Sequence, residues 1–501
     1  MNHALILPVL LPMFVGSLLL FGARLSITAK RSMSLTSATI LLLVSFLLLQ
    51  QANQGGLQVY ALGAWQAPFG IVLLLDRLSA LLLMVTAVLA FFSLLYAVRG
   101  DDQRGRNFHA LFQFQLMGIN GAFLTGDLFN LFVFFEILLI ASYSLLLHGG
   151  GPERVRAGLH YVILNLVGSS FFLIAVGVLY GITGTLNMAD MAQRVAAANA
   201  DQAPLLGAAG LLLLVVFGLK AAFLPLYFWL PRAYASATAP VAALFAIMTK
   251  VGLYSILRVY TLIFGDEAGS LANMAEAWLW PLALLTIACG VVGALAASSL
   301  HGLLAYLVIV SVGTLLAGIA LGTPESLAAA LFYLVHSTWI SGGLFLVADL
   351  IARQRGVKGS QIIQGPQLQN PHLLGALFFV GAIAVAGLPP LSGFFGKLLL
   401  LRSVAPGVEA LLLWTVVLVG GLATLIGLSR AGSTLFWRVG LHQLDSAELD
   451  TGRLLACAGL VALSPLLSGL AAPLLEYTQA TVGQLHDLDL YRQAVLGKGA
   501  P

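Results

Sequence analysis

Long apolar stretches separated by short polar segments make up almost the whole sequence, and this alternation constrains the fold more than any other feature. Of the 501 residues, 60% are hydrophobic and only 9% are charged, whereas soluble domains carry about 25% charged residues. A bilayer core about 30 Å thick needs about 20 apolar residues per crossing helix. The sequence therefore predicts an all-α polytopic membrane protein with about fourteen transmembrane helices. The predicted spans are 4–22, 33–50, 71–98, 108–125, 128–147, 159–181, 205–230, 239–263, 277–297, 301–321, 325–351, 371–401, 408–429 and 453–475.

Basic residues are distributed unequally between the two sides of this arrangement. The loops that follow the odd-numbered spans hold fifteen Lys and Arg residues, and the opposite side holds six. Because Lys- and Arg-rich loops face the cytoplasm, both termini are predicted to lie outside a cell (inner) membrane. One missed or added helix would have scrambled the alternation, so it supports the count of fourteen. Arg24, Lys30 and Arg31 follow the first apolar stretch, which indicates a retained helix rather than a cleaved signal peptide.

Two spans are interrupted by proline. Span seven contains Pro225, and span twelve contains Pro389 and Pro390. Proline removes an N–H donor and clashes with the preceding turn, and lipid cannot satisfy the freed carbonyls. Such breaks therefore lie inside protein or line a wet cavity. Because the breaks are five spans apart, an odd offset, the two units that contain them are predicted to be inverted repeats of a transporter.

Five ionisable residues are predicted to lie within the spans, where a charge costs at least about 2.5–3.5 kcal/mol. Glu136 lies mid-span five and Lys220 lies five residues before Pro225. The others are Lys250 in span eight, His336 in span eleven and Lys397 in span twelve. A lysine near a carboxylate can change protonation when the carboxylate moves, and histidine titrates near neutral pH. The five residues are therefore candidate proton-relay groups.

Each candidate also has a structural interpretation. Glu136 could form a static ion pair that fixes helix packing, and Lys220 could only cap the carbonyls freed at the break. Lys250 and Lys397 could extend to a membrane interface. His336 could be a hydrogen-bonded packing residue. Charges near the span ends are interpreted mostly as interfacial: Asp76, Arg77, Asp127, Arg258 and Asp349.

Several classes of function find no support in the sequence. The net charge of +4 is small, so nucleic acid is not a predicted partner. There is no GxxxxGK[ST] phosphate loop, no cysteine cluster and no pair of axial histidines. Cys289 and Cys457 lie far apart in apolar stretches and give no disulfide framework or metal spacing. The prediction is a protein without cofactor or metal, and not an enzyme in its own right.

Two motifs resemble those of a known family. The segment Gly126 to Glu136, GDLFNLFVFFE, resembles the span-five motif of the antiporter-like subunits of respiratory complex I and of Mrp cation/proton antiporters. The segment Pro225 to Tyr234, PLYFWLPRAY, with KVGLY starting at Lys250, is similar to the spans seven and eight of that family. Nearly the whole chain resembles this family. Within the family, the first motif, with Asp127 and Asn130, is most similar to that of the D subunits of Mrp-type antiporters.

The resemblance implies a fold of fourteen helices with two inverted five-helix repeats and broken helices seven and twelve. The predicted parts are residues 1–107 with spans 1–3, 108–263 with spans 4–8, 264–436 with spans 9–13, and 437–501 with span 14 and a short tail. Only about 25 residues follow the last span, whereas the largest complex I antiporter-like subunit and the Mrp A subunit carry long extensions.

The resemblance also implies roles. Glu136 is the span-five carboxylate, with Lys220 as its lysine partner. Lys250 and His336 are central relay groups, and Lys397 is the terminal lysine. Some relatives carry a lysine five residues after the histidine; here that position is Ser341, which leaves more of the relay to His336.

Three functions stay open at this point. The first is a subunit of a multisubunit Na⁺(K⁺)/H⁺ antiporter that assembles with other membrane subunits. The second is a proton-pumping subunit of a complex I-like quinone oxidoreductase or membrane-bound hydrogenase. The third is a membrane scaffold without transport. The sequence does not identify the cation.

Overall fold

A computed structural model describes residues 3–22, 24–440 and 449–497, and helices dominate these residues. The first half contains α1 Leu7–Phe21, α2 Ile27–Asn53, α3 Arg77–Ala97, α4 Phe108–Leu124, α5 Leu128–Leu146, α6 Pro152–Thr183, α7 Met188–Ala196, α8 Ala203–Ala221, α9 Trp229–Ser236, α10 Ala239–Phe245 and α11 Met248–Leu262. The second half contains α12 Glu276–Ala296, α13 Leu300–Ala320, α14 Pro324–Gln354, α15 Pro371–Ala386, α16 Ser392–Arg402, α17 Val408–Phe436, α18 Thr451–Gly469, α19 Ala471–His486 and α20 Leu488–Leu496. Short 3-10 turns lie at His3–Ile6, Leu62–Ala64, Asp101–Gln103, Gly269–Leu271 and Gly356–Lys358.

The predicted all-α membrane fold is confirmed. Twelve helices in the described part of the chain are long and apolar enough to cross a membrane, by length and composition. They correspond to twelve of the fourteen predicted spans. The other two are α4, which has 17 residues, and the broken pair α15 and α16. Each of the fourteen predicted spans therefore contains a helix or a pair of helices in the structure.

The predicted start of span three, at residue 71, is wrong. Val72–Leu75 is a strand that pairs antiparallel with Gln58–Ala61, and the helix α3 begins only at Arg77. Asp76 caps α3 by accepting a hydrogen bond from the Ser79 backbone N–H at 2.7 Å. Hydropathy could not separate the buried strand from the helix that follows, because both are continuous apolar runs.

Three helices lie where only polar or terminal segments were predicted. The helix α7 forms between spans six and seven, and α19 and α20 follow the last span. The last span also ends earlier than predicted: α18 stops at Gly469, and α19 starts at Ala471. These helices are amphipathic and therefore gave no clear membrane-span signal.

The two proline breaks have the same local design. Ala222 directly follows α8 and Gly387 directly follows α15, and both residues have left-handed backbone angles, with φ of 62° and 82°. A proline follows three residues later in each case, as Pro225 and Pro390. The chain then enters α9 or α16. The matching order of helix end, left-handed residue and proline agrees with two repeated units.

Ion pairs place the predicted Arg-rich loops on one face of the molecule. Asp101 and Asp102, in the loop after α3, bind arginines near the ends of α2, α14 and α18, in the pairs Arg31–Asp102, Arg353–Asp101 and Arg453–Asp101. Arg99, from the same loop as the two aspartates, binds Asp450 just before α18. On the opposite face, His3 contacts the Tyr60 hydroxyl at 3.2 Å, and the Tyr477 hydroxyl donates to the Arg77 carbonyl at 2.9 Å. The N-terminal and C-terminal segments therefore share one face, as an even number of spans requires.

The centre of the bundle is formed by span eight, α10 and α11, together with α14. Both spans are buried along the whole apolar window. Gly252 lets α11 approach α8 closely, because a Cβ at this position would lie 2.4 Å from the Ala221 backbone nitrogen. This contact lies beside Lys220. The core packing thus sets the distance between the two helices that carry Lys220 and Lys250.

Candidate functional site

Glu136 and Lys220 bind the same face of α6. The Ser169 hydroxyl donates a hydrogen bond to the Glu136 carboxylate. The Lys220 ammonium donates to the Asn165 side-chain carbonyl at 3.1 Å. Asn165 and Ser169 are four residues apart, so they lie one turn apart on one helix face. In the described part of the chain, no ion pair joins Glu136 directly to Lys220, so the two charges are linked through α6.

Aromatic side chains hold this region in place. The Lys220 ammonium lies 5.9 Å from the centre of the Phe135 ring. The Trp229 indole N–H donates to the Leu219 carbonyl at 3.0 Å, and its ring stacks on Tyr161 at 4.8 Å. Trp229 therefore satisfies a carbonyl near the break, and Lys220 is bound to a side chain instead. The interpretation of Lys220 as only a cap for freed carbonyls does not describe this contact.

The two partners differ in burial. Lys220 is buried, whereas Glu136 is only half-buried and lies at the edge of the bundle. Val133 and Ile140, one turn to either side of Glu136, are exposed. A carboxylate in the middle of a span and at the edge of the bundle is open to a group from outside this chain.

Lys250 is fully buried in the centre of the bundle. Its ammonium lies 3.5 Å from the Ser311 hydroxyl of α13, so it does not extend to an interface. Thr314, one turn further along α13, donates its hydroxyl to the Val310 carbonyl of the same helix at 2.9 Å. On α14, the Tyr333 ring packs 5.6 Å from the His336 ring. Lys250 is therefore hydrogen-bonded to α13, and the contacts of His336 form a separate group.

His336 is buried and hydrogen-bonded through its Nδ1. This nitrogen lies 2.7 Å from the Ser392 hydroxyl, and Ser392 lies 2.9 Å from the Ser464 hydroxyl of α18. The backbone carbonyl of Ala384 and the His336 Nε2 both lie beside Gly393. Gly393 permits this arrangement, since a Cβ there would lie 1.9 Å from the Ala384 carbonyl oxygen.

Lys397 binds the second break directly. Its ammonium donates to the carbonyls of Val385 and Ala386, at 3.1 and 2.9 Å, which are among the last carbonyls of α15. It is 9% exposed and turns back to the break rather than to an interface. Lys220 precedes its break and Lys397 follows its own, so the two lysines are not equivalent positions of the two repeats. Val385 is the residue that corresponds to Lys220.

The site therefore consists of separate hydrogen-bonded groups rather than one continuous series of pairs. The structure brings Glu136 and Lys220 together through α6. It places Lys250 with Ser311 and His336 with Ser392 at the start of α16, and it places Lys397, further along α16, at the last carbonyls of α15. The neutral polar partners were not predicted from the sequence, and they are Asn165, Ser169, Ser311, Ser392 and Ser464.

Two of the charges interpreted as interfacial form a buried ion pair instead. Arg258 binds Asp76, and the two residues are 4% and 3% exposed. The Arg258 guanidinium lies between the rings of Tyr254 and Tyr491, at 5.4 and 5.7 Å. The helix α20 covers this pair, a packing that charge positions alone did not indicate.

Asp127, in the first motif, caps the helix that carries Glu136. Its carboxylate accepts the Asn130 backbone N–H at 2.7 Å. Burial raises the pKa of Asp127 to about 6, and the backbone hydrogen bonds of Asn130 and Phe129 lower it less. Asp127 therefore has a structural role in the motif, because it caps the start of α5.

Comparisons with known proteins agree with this arrangement. Residues 125–427 match the family described as NADH:quinone oxidoreductase/Mrp antiporter, TM. The chain is 42% identical over 527 residues to the D subunit of a probable K(+)/H(+) antiporter of Rhizobium meliloti, covering 97% of this chain and 96% of the relative. It is 43% identical over 400 residues to the D subunit of the Na(+)/H(+) antiporter of Bacillus subtilis, covering 79% and 80%.

Solved structures show the same likeness. A chain of the Mrp complex from Dietzia sp. DQ12-45-1b superposes with a TM-score of 0.86 at 26% identity, covering 99% of this chain and 100% of that chain. A chain of respiratory complex I from Thermus thermophilus with bound NADH superposes with a TM-score of 0.79 at 28% identity, covering 96% and 99%.

The fold and the likeness to antiporter subunits define a multi-pass membrane subunit of the transporter class. The chain belongs to the NADH:quinone oxidoreductase/Mrp antiporter family.

Proposed function

We propose that this chain is the D-type subunit of a multisubunit Na⁺(K⁺)/H⁺ antiporter and that it conducts protons coupled to cation efflux. The observation that carries the proposal is the link from Glu136 through Ser169 and Asn165 to Lys220. This link places two ionisable groups in the membrane with neutral hydrogen-bonding groups between them. The names of the relatives support the antiporter class, and they differ in the cation, potassium in one and sodium in the other.

The proposed path uses the five predicted residues in the order of the spans. Glu136 accepts or releases a proton at the edge of the bundle, and its movement changes the charge balance at Lys220. Lys250 and His336 continue the path through the centre. Lys397, held at the second break, ends it. Buried groups of this kind are costly in a membrane and are most often functional.

The proposed assembly is a hetero-oligomer in the cell (inner) membrane. Other membrane subunits contact this chain, and the half-exposed side of Glu136 is the surface on which the proposal places one of them. Both termini lie outside in this proposal. The two inverted repeats comprise residues 108–263 and 264–436, between the helices of 1–107 and 437–501.

The test is ion exchange in everted vesicles from cells that express every subunit of the complex. Addition of Na⁺ or K⁺ to energised vesicles should move protons out of the vesicle lumen, and omission of this chain should abolish the movement. The exchange should also proceed on a proton gradient generated by ATP hydrolysis, with no respiratory substrate present. Exchange that occurs without this chain would contradict the proposal.

A second function, a proton-pumping subunit of a redox enzyme, is favoured by the likeness to a chain of complex I. In that case proton movement would require electron transfer to a quinone and would not respond to Na⁺ or K⁺. The same vesicles distinguish the two functions, because ATP and a respiratory substrate are supplied in separate experiments.

A further inference from the structure

A series of hydrogen bonds starts at His336 and includes two serines that the path described above does not use. It runs from His336 on α14 through Ser392 on α16 to Ser464 on α18, with contacts of 2.7 and 2.9 Å. All three side chains are buried. Ser464 lies outside residues 125–427, which match the family.

We propose that this series of hydrogen bonds is a proton branch, which connects His336 to the face of the protein opposite the Arg-rich loops. The inference rests on the proposed function, because it assumes that His336 carries protons. It assigns proton-transfer roles to Ser392 and Ser464.

The chemistry of the three groups suits proton exchange. A serine hydroxyl is both a donor and an acceptor, so it can take one proton while it passes on another. The His336 Nδ1 lies 2.7 Å from the Ser392 hydroxyl, so a histidine that carries its proton on Nε2 presents the Nδ1 lone pair to Ser392.

Each step moves one proton and leaves the serines unchanged. The Ser392 O–H bond breaks as an N–H bond forms at His336 Nδ1. Ser464 passes its proton to Ser392 and takes one from a hydronium ion at the outer end, which becomes water, and release is the reverse.

The position of Ser464 gives the branch its direction. The helix α18 starts beside Asp450, which binds Arg99 on the Arg-rich face, and ends at Gly469 on the opposite face. Ser464 is five residues before this end, or about 8 Å along the helix. The next hydroxyl in that direction, the half-buried Ser468, donates to the Ser464 carbonyl at 3.2 Å.

A purely structural role is the competing explanation. In that case the two hydroxyls only orient the imidazole and hold α16 against α18. The two explanations differ in what restores activity, since a structural role depends on side-chain shape and a relay depends on a hydroxyl.

The experiment compares Ser464→Thr with Ser464→Val in vesicles that contain the whole complex. Thr and Val have the same shape, and only Thr keeps the hydroxyl. We expect cation-triggered proton movement near the wild-type rate in Ser464→Thr, and about tenfold slower movement in Ser464→Val, which corresponds to about 1.4 kcal/mol. Ser337→Ala is the matched control, because this buried hydroxyl next to His336 donates only to the Leu334 carbonyl of its own helix.

Subunit abundance is measured for each variant by blotting. Equal rates in Ser464→Thr and Ser464→Val would overturn the branch. Glu136→Gln, measured in parallel, separates this failure from a failure of the proposed function. If Glu136→Gln is inactive while both Ser464 variants exchange equally, only the branch is wrong. If Glu136→Gln exchanges normally, the proposed function itself is wrong.

Discussion

Glu136 and Lys220 are joined through one face of α6, with Ser169 on the carboxylate and Asn165 on the ammonium. The two charges therefore influence each other without a locked ion pair. A direct buried pair would be difficult to separate, because each member would be left uncompensated. Neutral partners allow either charge to change its protonation while the other keeps a hydrogen bond.

Removal of the Asn165 carbonyl should slow proton exchange. In Asn165→Ala the Lys220 ammonium loses its side-chain acceptor, a loss of about 1–3 kcal/mol for a buried group. We expect cation-triggered proton movement to fall about tenfold or more, with normal subunit abundance. Ser170→Ala is the control, since its exposed hydroxyl donates to the Leu166 carbonyl of the same helix. Equal rates in the two variants would show that Asn165 does not support Lys220.

Closure of the second break should impair transport without preventing insertion. Pro390→Ala restores an N–H donor at position 390 and removes the clash of this proline with the preceding turn. That N–H is the helical partner of the Ala386 carbonyl, which would then tend to leave Lys397 and close part of the break, while Pro389 still leaves the Val385 carbonyl to Lys397. We expect normal abundance in the membrane and slower exchange. A full exchange rate in this variant would mean that the break is only a packing kink.

The membrane fold was predictable because each span is a long apolar run, and the loop charges fixed the number of spans. The strand Val72–Leu75 and the terminal helices α19 and α20 were not predicted. The strand is as apolar as the helix that follows it, and the terminal helices are amphipathic and too polar for a span. Their structure depends on packing against the bundle rather than on local hydropathy.

The charged members of the site were predictable because a charged residue is easily recognised within a long apolar segment. Their partners Asn165 and Ser169 did not stand out, because neutral polar residues are tolerated in membrane helices. Asn165 and Ser169 are four residues apart and therefore share one face of a span that lies between those of Glu136 and Lys220 in the sequence. This spacing is the signal that could have identified them as partners. The link from Ser392 to Ser464 joins residues 72 positions apart, so only the fold places them together.

The stability of the Arg-rich face should depend on pH through Asp102. Burial alone would raise the pKa of Asp102, but hydrogen bonds from Arg31 and His109 outweigh it and lower the pKa to about 2. The ionised Asp102 carboxylate therefore stabilises the folded protein, by about 2 kcal/mol. This stabilisation is complete at a pH above the ordinary pKa of 3.8 and is lost as the pH falls from 3.8 to 2.

Asp102→Asn should therefore lower the thermal unfolding temperature of the detergent-solubilised complex at neutral pH. It should also flatten the decline of that temperature as the pH falls below about 4. Asp201→Asn, at an exposed position, is the control. An unchanged pH profile in Asp102→Asn would show that the Arg31–Asp102 pair contributes little.

The orientation in the membrane can be tested with two exposed positions. Val357 lies on the Arg-rich side, and Gly483 lies in the helix α19 on the other side. With membrane-impermeant thiol reagents, we expect Val357→Cys to be labelled only after the cytoplasm is made accessible. Gly483→Cys should be labelled in intact cells. Labelling of both from one side would contradict the three spans between these positions, and the reverse pattern would contradict the orientation.

The central claim is that Glu136 and Lys220 carry protons, and the most direct measurement is cation-triggered proton movement in vesicles with the whole complex. Glu136→Gln and Lys220→Ala should each abolish this movement at normal subunit abundance. Abundance should survive because removal of a charge from a membrane interior carries no insertion cost. Glu409→Gln, a change at an exposed carboxylate in the first turn of α17, should exchange at the wild-type rate. Wild-type exchange in both site variants would contradict the proton-relay assignment and favour a scaffold role for this chain.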